Sequence, residues 1–369
     1  MTSPPPPATT AALTALRRDI DDWAQAAGFD ALRVTDVDLS AYANEVRDWL
    51  ARGFAGDMAY LHANLDKRLD PAALVPDTIR VLCARMSYRP GQDDALGQLQ
   101  RDDGAYIARY ALGRDYHKVL RRRLARLGAR IADAARDFGP SYRAFTDSAP
   151  VLEKPLGEKA GLGWIGKHGL LLSEDVGSWF FLGEIYTSLP LPIDPPVHGP
   201  RSFGECGNCR ACMTVCPTDA IVAPGQLDAR RCIAYLTIEH KGVIPEPLRA
   251  PMGNRVFGCD DCQLYCPWNR EAPATTEPDF DVRHSLDTAQ LLPLFELSEA
   301  DFLAVTEGMA IRRISYEQWQ RNLAVGLGNG PPAEAVFTAL RNRRQQASAL
   351  VREHIDWALA QLTARAGSA

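Results

Sequence analysis

The chain has 369 residues, enough for two or three domains and a substantial core. It is 46% hydrophobic and 24% charged, as a soluble globular protein is, and its net charge of −5 excludes a wholesale nucleic-acid binder while leaving room for a local basic patch. No window approaches the roughly 18 apolar residues of a membrane span. The start "MTSPPPPATT" lacks the basic and apolar regions of a signal peptide, so a cytoplasmic, monomeric protein is expected.

Residues 1–10 read as a disordered start. Helical periodicity follows over 11–30 and ends at Gly28, then a short strand in "ALRVTDVDL" and a helix-like stretch from Tyr42 to Leu65. "DTIRVLCARMSY" alternates as a strand, "HKVLRRRLARLGARIADAARDFG" is a helix with a basic face, and "YRAFTDSAP" is a strand running into a loop. The glycine-rich stretch from Gly157 to Leu191 reads as loop, strand, turn, strand. This alternation predicts an α/β or α+β domain over 11–195, with "PLPIDPPVHGP" as a proline-rich linker. A cysteine-rich domain spans 196–282, and 283–369 is purely helical, with antiparallel pairs of the HEAT-like kind. The overall class expected is α+β.

Eight of the nine cysteines lie between 206 and 266, and Cys83, in an apolar run, reads as a core thiol. A disulfide framework suits small secreted domains, not a large chain of this kind. "CGNCRACMTVCP" has the C-x2-C-x2-C-x3-C-P spacing of a bacterial ferredoxin, in which the fourth cysteine serves the other cluster. Zinc is the alternative, although zinc pairs need neither a third cysteine in the loop nor the C-P step. The second run, "CDDCQLYCP", is one ligand short, and Cys232 is the nearby candidate. The crossover rule then assigns Cys206, Cys209, Cys212 and Cys266 to one [4Fe–4S] cluster, and Cys216, Cys232, Cys259 and Cys262 to a second. About twenty-six residues separate Cys232 from Cys259, where a plain ferredoxin has about two. The alternative leaves Cys232 free and the second cluster with three cysteines. Electron transfer is the chemistry of this module.

Arg312, Arg313, Arg321, Arg341, Arg343 and Arg344 face only Glu317 and Glu334 between Ile311 and Arg344, a candidate phosphate-backbone surface or else a solvated helix face. "GLGWIGKHG" is not a P-loop, since His168 follows Lys167. "DYHKVL" begins like a cobalamin D-x-H motif, but Leu120 stands where that motif has glycine, so no cobalt ligand is assigned.

Together with the cysteine runs, "RYALGRDYHKVL", "TDSAPVLEKPLGEKAGLGWIGKHGLLL", "GSWFFLGEI" and "RCIAYLTIEHKG" resemble the epoxyqueuosine reductase family over about residues 40 to 345. The resemblance implies a cobalamin-binding α/β reductase domain, a ferredoxin-like domain with two [4Fe–4S] clusters, and a HEAT-like region. It also implies reduction of epoxyqueuosine to queuosine at the wobble position of a tRNA anticodon. Asp147, in T-D-x-x-P, matches the family's proton donor; such a donor needs a carboxyl raised by burial or negative neighbours, whereas an N-cap for the segment at Val151 is the structural alternative. The glycines of 161–169 suit close approach of a flat ring, and Arg109, Tyr110, Trp164, Lys167 and Leu171 are the candidate corrin contacts. "EKP" at 153–155 departs from the arginine-alanine pair expected there. The basic C-terminal helices, with Arg312, Arg313, Arg341, Arg343 and Arg344, would dock the tRNA, and a flavodoxin or ferredoxin system would supply electrons. A reductive dehalogenase and a non-catalytic iron–sulfur carrier are the rival readings.

Overall fold

The computed structural model describes residues 10–91, 94–200 and 202–367. The proline-rich start up to residue 9 lies outside them. At the centre is a four-stranded sheet of order β1-β2-β7-β4, formed by β1 (Ala31–Thr35), β2 (Arg80–Ser87), β7 (Phe180–Thr187) and β4 (Tyr142–Phe145). Every pairing in it is antiparallel. The expected α/β unit is therefore corrected to α+β, because its connections return each strand beside its neighbour in the opposite sense.

Both sheet faces are covered, which the alternation of β2 does not reveal. Leu82, Ala84 and Met86 join the core beneath the Thr10–Ala26 and Tyr116–Ala134 helices. Val81 and Cys83 join a second cluster with Tyr42, Leu156 and Tyr186, beneath the Glu153–Lys159 helix. Cys83 is thus a core thiol, as expected. Gly53 and Gly56, both at positive φ, break the helix predicted over 42–65 after Ala51. The two short helices that follow, Ala59–His62 and Leu65–Leu69, contain no buried residue.

The glycine-rich stretch folds as the Glu153–Lys159 helix and a small hairpin, β5 (Trp164–Ile165) with β6 (Leu171–Leu172). Two of its glycines make room for the protein's own backbone, and Gly169 faces open space. A Cβ at Gly161 would strike the carbonyl of Pro195, and one at Gly163 the carbonyl of Leu172. Buried Glu158 anchors this corner by accepting from Tyr42 Oη at 2.8 Å and Ile165 N at 2.7 Å. The proline-rich linker is docked rather than free: Asp194 N donates to Val34 O, and its carboxylate accepts from Val34 N and Arg17.

The cysteine segment is tied to the sheet domain through a short parallel pair, β3 (Tyr106–Ile107) with β10 (Arg255–Phe257). The helical end is built into the same core. The Tyr316–Asn329 helix is buried over most of its length, and Arg321, wholly buried, donates to the carbonyls of Leu236, His240 and Gly242 at 2.7–2.8 Å. Asn322 does the same for Thr237 and Val256. The last helices therefore clamp the segment between Cys232 and Cys259.

Candidate redox and proton-transfer site

Asp147 lies two residues beyond the end of β4, at φ +51°, a left-handed conformation that aspartate tolerates better than most residues. It is not an N-cap, since the next helix starts at Glu153 after Leu152. Its side chain is 53% exposed, and Oδ2 receives the Tyr116 hydroxyl and lies 3.2 Å from His117 Nε2. His117 Nδ1 in turn lies 2.8 Å from Asp115, the N-cap of the Tyr116–Ala134 helix. The imidazolium between two carboxylates is stabilised. Burial lowers its pKa, but the bonds to Asp115 and Asp147 outweigh this and push it up to about 9. Burial raises Asp147, and the bonds from His117 and Tyr116 reverse this, holding the carboxyl below its usual range. The expectation of a raised Asp147 is thereby corrected: its carboxylate accepts from both Tyr116 and His117, and of the two His117 gives up its proton more readily.

Behind Asp147 lie two more carboxyls. Glu153 accepts from Asp147 N and is pushed up to about 8, first by burial and then by the Asp147 charge. Glu184, wholly buried on β7 opposite Cys83 and Phe145, is raised well above the carboxylate range by burial and by Glu153. Next along the chain, Lys154 is exposed to solvent, yet desolvation lowers its pKa. The groups acting on it are Asp147, Glu153 and Cys262, so these side chains face one recess. Tyr60 (47% exposed), Tyr110, Arg68 and Arg313 share this recess electrostatically with Asp147.

The cysteines fall into two neighbourhoods. Burial raises Cys212 to about 11, and the thiols acting on it next are Cys266, Cys206 and Cys209. Cys262 is raised by burial and then by Cys232, with Cys216 also acting on it, and Cys259 is raised by burial with Cys262 among its neighbours. Cys212 also acts on Cys262, so the two groups adjoin, and the crossover rule is what sorts them into two foursomes. Cys232 is the N-cap residue of the Ile233–Ile238 helix and makes no side-chain capping bond there; burial raises its thiol against the lowering influence of the Tyr235 and Ala234 N–H groups. Cys262 acts electrostatically on Lys154, whereas Cys209 of the first foursome is exposed at the surface.

Of the five corrin candidates, Tyr110 adjoins the recess; it packs edge-on to Tyr116. The other four have partners within the protein, three of them buried and Lys167 half-buried. Arg109 is 2% exposed, over the Tyr106 ring and bonded to Ile107 O. Trp164 lies beside Cys206, Cys266 and Trp268. Lys167 Nζ donates to the carbonyls of Gly207 and Cys209 in the first cysteine loop. Leu171 packs in the second core cluster. Sequence reasoning missed Tyr60, Arg68 and Lys154, which carry no motif of their own; His117 had a signal, in the D-x-H that was set aside.

The arginine set divides. Arg313 sits near Asp147 and is ion-paired to Glu239 at 2.7 Å, and neighbouring Arg312 bonds Leu303 O. Arg343 donates to Phe295 O and Leu297 O, which makes it structural. Arg341 and Arg344 are exposed and paired with Glu334 and Asp356.

Comparison with known proteins agrees with this geometry. Residues 68–148 match the family model of the epoxyqueuosine reductase QueG domain (DUF1730), and residues 205–269 match a 4Fe-4S double cluster binding domain. An epoxyqueuosine reductase of Pseudomonas aeruginosa is 52% identical over 357 residues, covering 97% of this chain and 96% of that one. The Escherichia coli epoxyqueuosine reductase is 49% identical, covering 95% and 90%. A crystal structure of epoxyqueuosine reductase with an epoxyqueuosine-modified tRNA-Tyr stem loop superposes with TM-score 0.85 at 25% identity, covering 95% and 91%. A Bacillus subtilis epoxyqueuosine reductase, whose catalytic aspartate loop is swung out of the active site, gives 0.83 at 26%, covering 95% and 91%. With half of its residues shared over nearly the whole length of such relatives, this chain belongs to the epoxyqueuosine reductase family.

Proposed function

We infer that the chain reduces epoxyqueuosine to queuosine in the anticodon of tRNA, in the cytoplasm where tRNA is modified. The observation that carries this reading is the exposed Asp147 carboxylate held by His117 Nε2 at 3.2 Å and by the Tyr116 hydroxyl, in a chain that shares half of its residues with epoxyqueuosine reductases. Removing an epoxide oxygen as water, leaving a carbon–carbon double bond, takes two electrons and two protons. The recess has a proton source on one side and a cluster cysteine on the other.

Two [4Fe–4S] clusters fit the two foursomes of cysteines, each cluster carrying one electron at a time. Cobalamin fits the recess. Tyr60 and the two short helices around it have no core of their own to pack on, and the buried Nε of Arg68 and Nε2 of His168 have no hydrogen-bond partner, leaving donors for the amide-rich rim of a corrin. Tyr60, Arg68, Tyr110 and Lys154 would hold it. When bound, cobalamin supplies a strongly reducing, nucleophilic metal centre that no side chain can provide.

The protein's own part is proton delivery and placement. His117 Nε2 hands its proton to Asp147 Oδ2, whose exposed carboxyl presents it to the leaving oxygen, while Asp115 keeps the imidazole oriented. Glu153 fixes the strained Asp147 backbone by accepting its N–H. The HEAT-like helical end, with Arg312 and Arg313 nearest the recess, offers the phosphate contacts for the anticodon arm. The test is queuosine analysis of tRNA from cells lacking this protein: persistence of normal queuosine would reject the reading.

A further inference from the structure

Electrons must enter this protein, and the first cysteine foursome is where they can. Cys209 is exposed, whereas Cys216, Cys232, Cys259 and Cys262 of the second foursome are all partly buried. Beside Cys209 a shallow groove runs along the loop that carries Cys212 and Cys216. Its walls include Arg210, Met213 and Thr214 on one side, and Val222 with Arg231 on the other. Arg210 is exposed and, among the described residues, makes no ion pair or side-chain hydrogen bond. Arg231 donates to Thr218 O and stands 3.7 Å from Asp219, an exposed acid on the same groove. Val222, 40% exposed on β8 (Ile221–Ala223), gives the groove an apolar centre.

The surroundings add positive charge. β8 pairs with β9 (Gln226–Leu227), and Arg52 bonds Gln226 at its edge. Arg230 is also exposed, on the Phe54 ring and paired to Asp228. Arg52, Arg210, Arg230 and Arg231 thus gather around one edge of the cluster domain in a chain whose net charge is −5. A small apolar centre with a charged rim, set over a redox centre, is how transient electron-transfer partners meet: the charges steer the encounter and the small interface lets the partner leave.

We propose that this groove docks an acidic, low-potential electron-carrier protein, with Arg210 and Arg231 contacting its carboxylates. This rests on the double-cluster reading above, and gives it an entry point. Each encounter passes one electron: the carrier is oxidised by one electron, the outer cluster is reduced by one, and no bond is made or broken. Two encounters supply one turnover.

The experiment uses cluster-loaded protein and photoreduced flavodoxin as the probe, with two readouts: the dissociation constant at low and high salt, and the rate of cluster bleaching. Dithionite, a small reductant that needs no docking face, is the control. In the double variant Arg210→Glu/Arg231→Glu, affinity for flavodoxin at low salt should fall by about tenfold or more and lose most of its salt dependence. Bleaching by dithionite should stay unchanged. Val222→Glu, which alters no arginine, should weaken flavodoxin in the same direction. Unchanged flavodoxin affinity in both variants overturns the proposal, as does salt-independent binding by the unaltered protein. Loss of cluster loading in the unaltered protein would instead overturn the double-cluster reading.

Discussion

His117 Nε2 stands 3.2 Å from Asp147 Oδ2, and the same carboxylate oxygen also receives the Tyr116 hydroxyl. One aspartate thus gathers two donors from consecutive residues at the start of one helix. Replacing Asp147 with Asn keeps the shape and removes the group that exchanges the proton. Turnover on epoxyqueuosine-containing tRNA should fall by about a hundredfold or more. Iron content and cobalamin binding should remain. Wild-type turnover by the Asn variant would remove the acid role.

The same pair sets a pH limit. With the imidazolium raised to about 9, turnover should decline as pH rises through that value, because the stored proton is lost. His117→Gln leaves the proton on Asp147 alone, so the decline should move several units toward acid. A profile of kcat against pH that is identical in the two proteins would show that the proton comes from elsewhere.

Stability follows the same proton in the same direction. His117 has its folded pKa above the unfolded value, so the stabilisation is complete below about pH 6.5 and lost as pH rises through about 9. With Asp147 half exposed, about 2 kcal/mol is expected after solvent screening. The gap in Tm between wild type and His117→Gln should be widest near pH 5 to 6 and close by about pH 10. A gap independent of pH would point to packing instead of charge.

Cys232 is the ligand that spacing alone left open. Cys232→Ala should lower bound iron from about eight to about four per chain and abolish the signal of one cluster. Full iron occupancy would mean that the second cluster needs only three cysteines.

The basic C-terminal residues should separate by role. Arg321→Ala leaves the carbonyls of Leu236, His240 and Gly242 without their buried donor and should cost about 3 kcal/mol or more in urea unfolding. Arg312→Glu and Arg341→Glu should leave stability nearly unchanged while weakening tRNA binding, each flattening the salt slope by about one. Unaltered tRNA affinity in both would move the docking face elsewhere.

The sequence by itself determined the cysteine module. Ligand spacing is local, so C-x2-C-x2-C-x3-C-P and the displaced Cys232 could be read along the chain and grouped by the crossover rule. It also placed Asp147, because a motif carries its own position. Only the tertiary structure decided what surrounds them. Cys83 alternates in a strand whose two faces are both covered, and Gly161 answers to Pro195, distant in sequence, and Gly163 to Leu172 across a hairpin. Trp164 and Lys167 belong to the outer cysteine loop, and Arg321 to the backbone it clamps. The protonation of Asp147 was the sharpest reversal. A pKa is the balance of burial against partners, and His117 becomes a partner only when the helix after Asp115 folds back beside the end of β4.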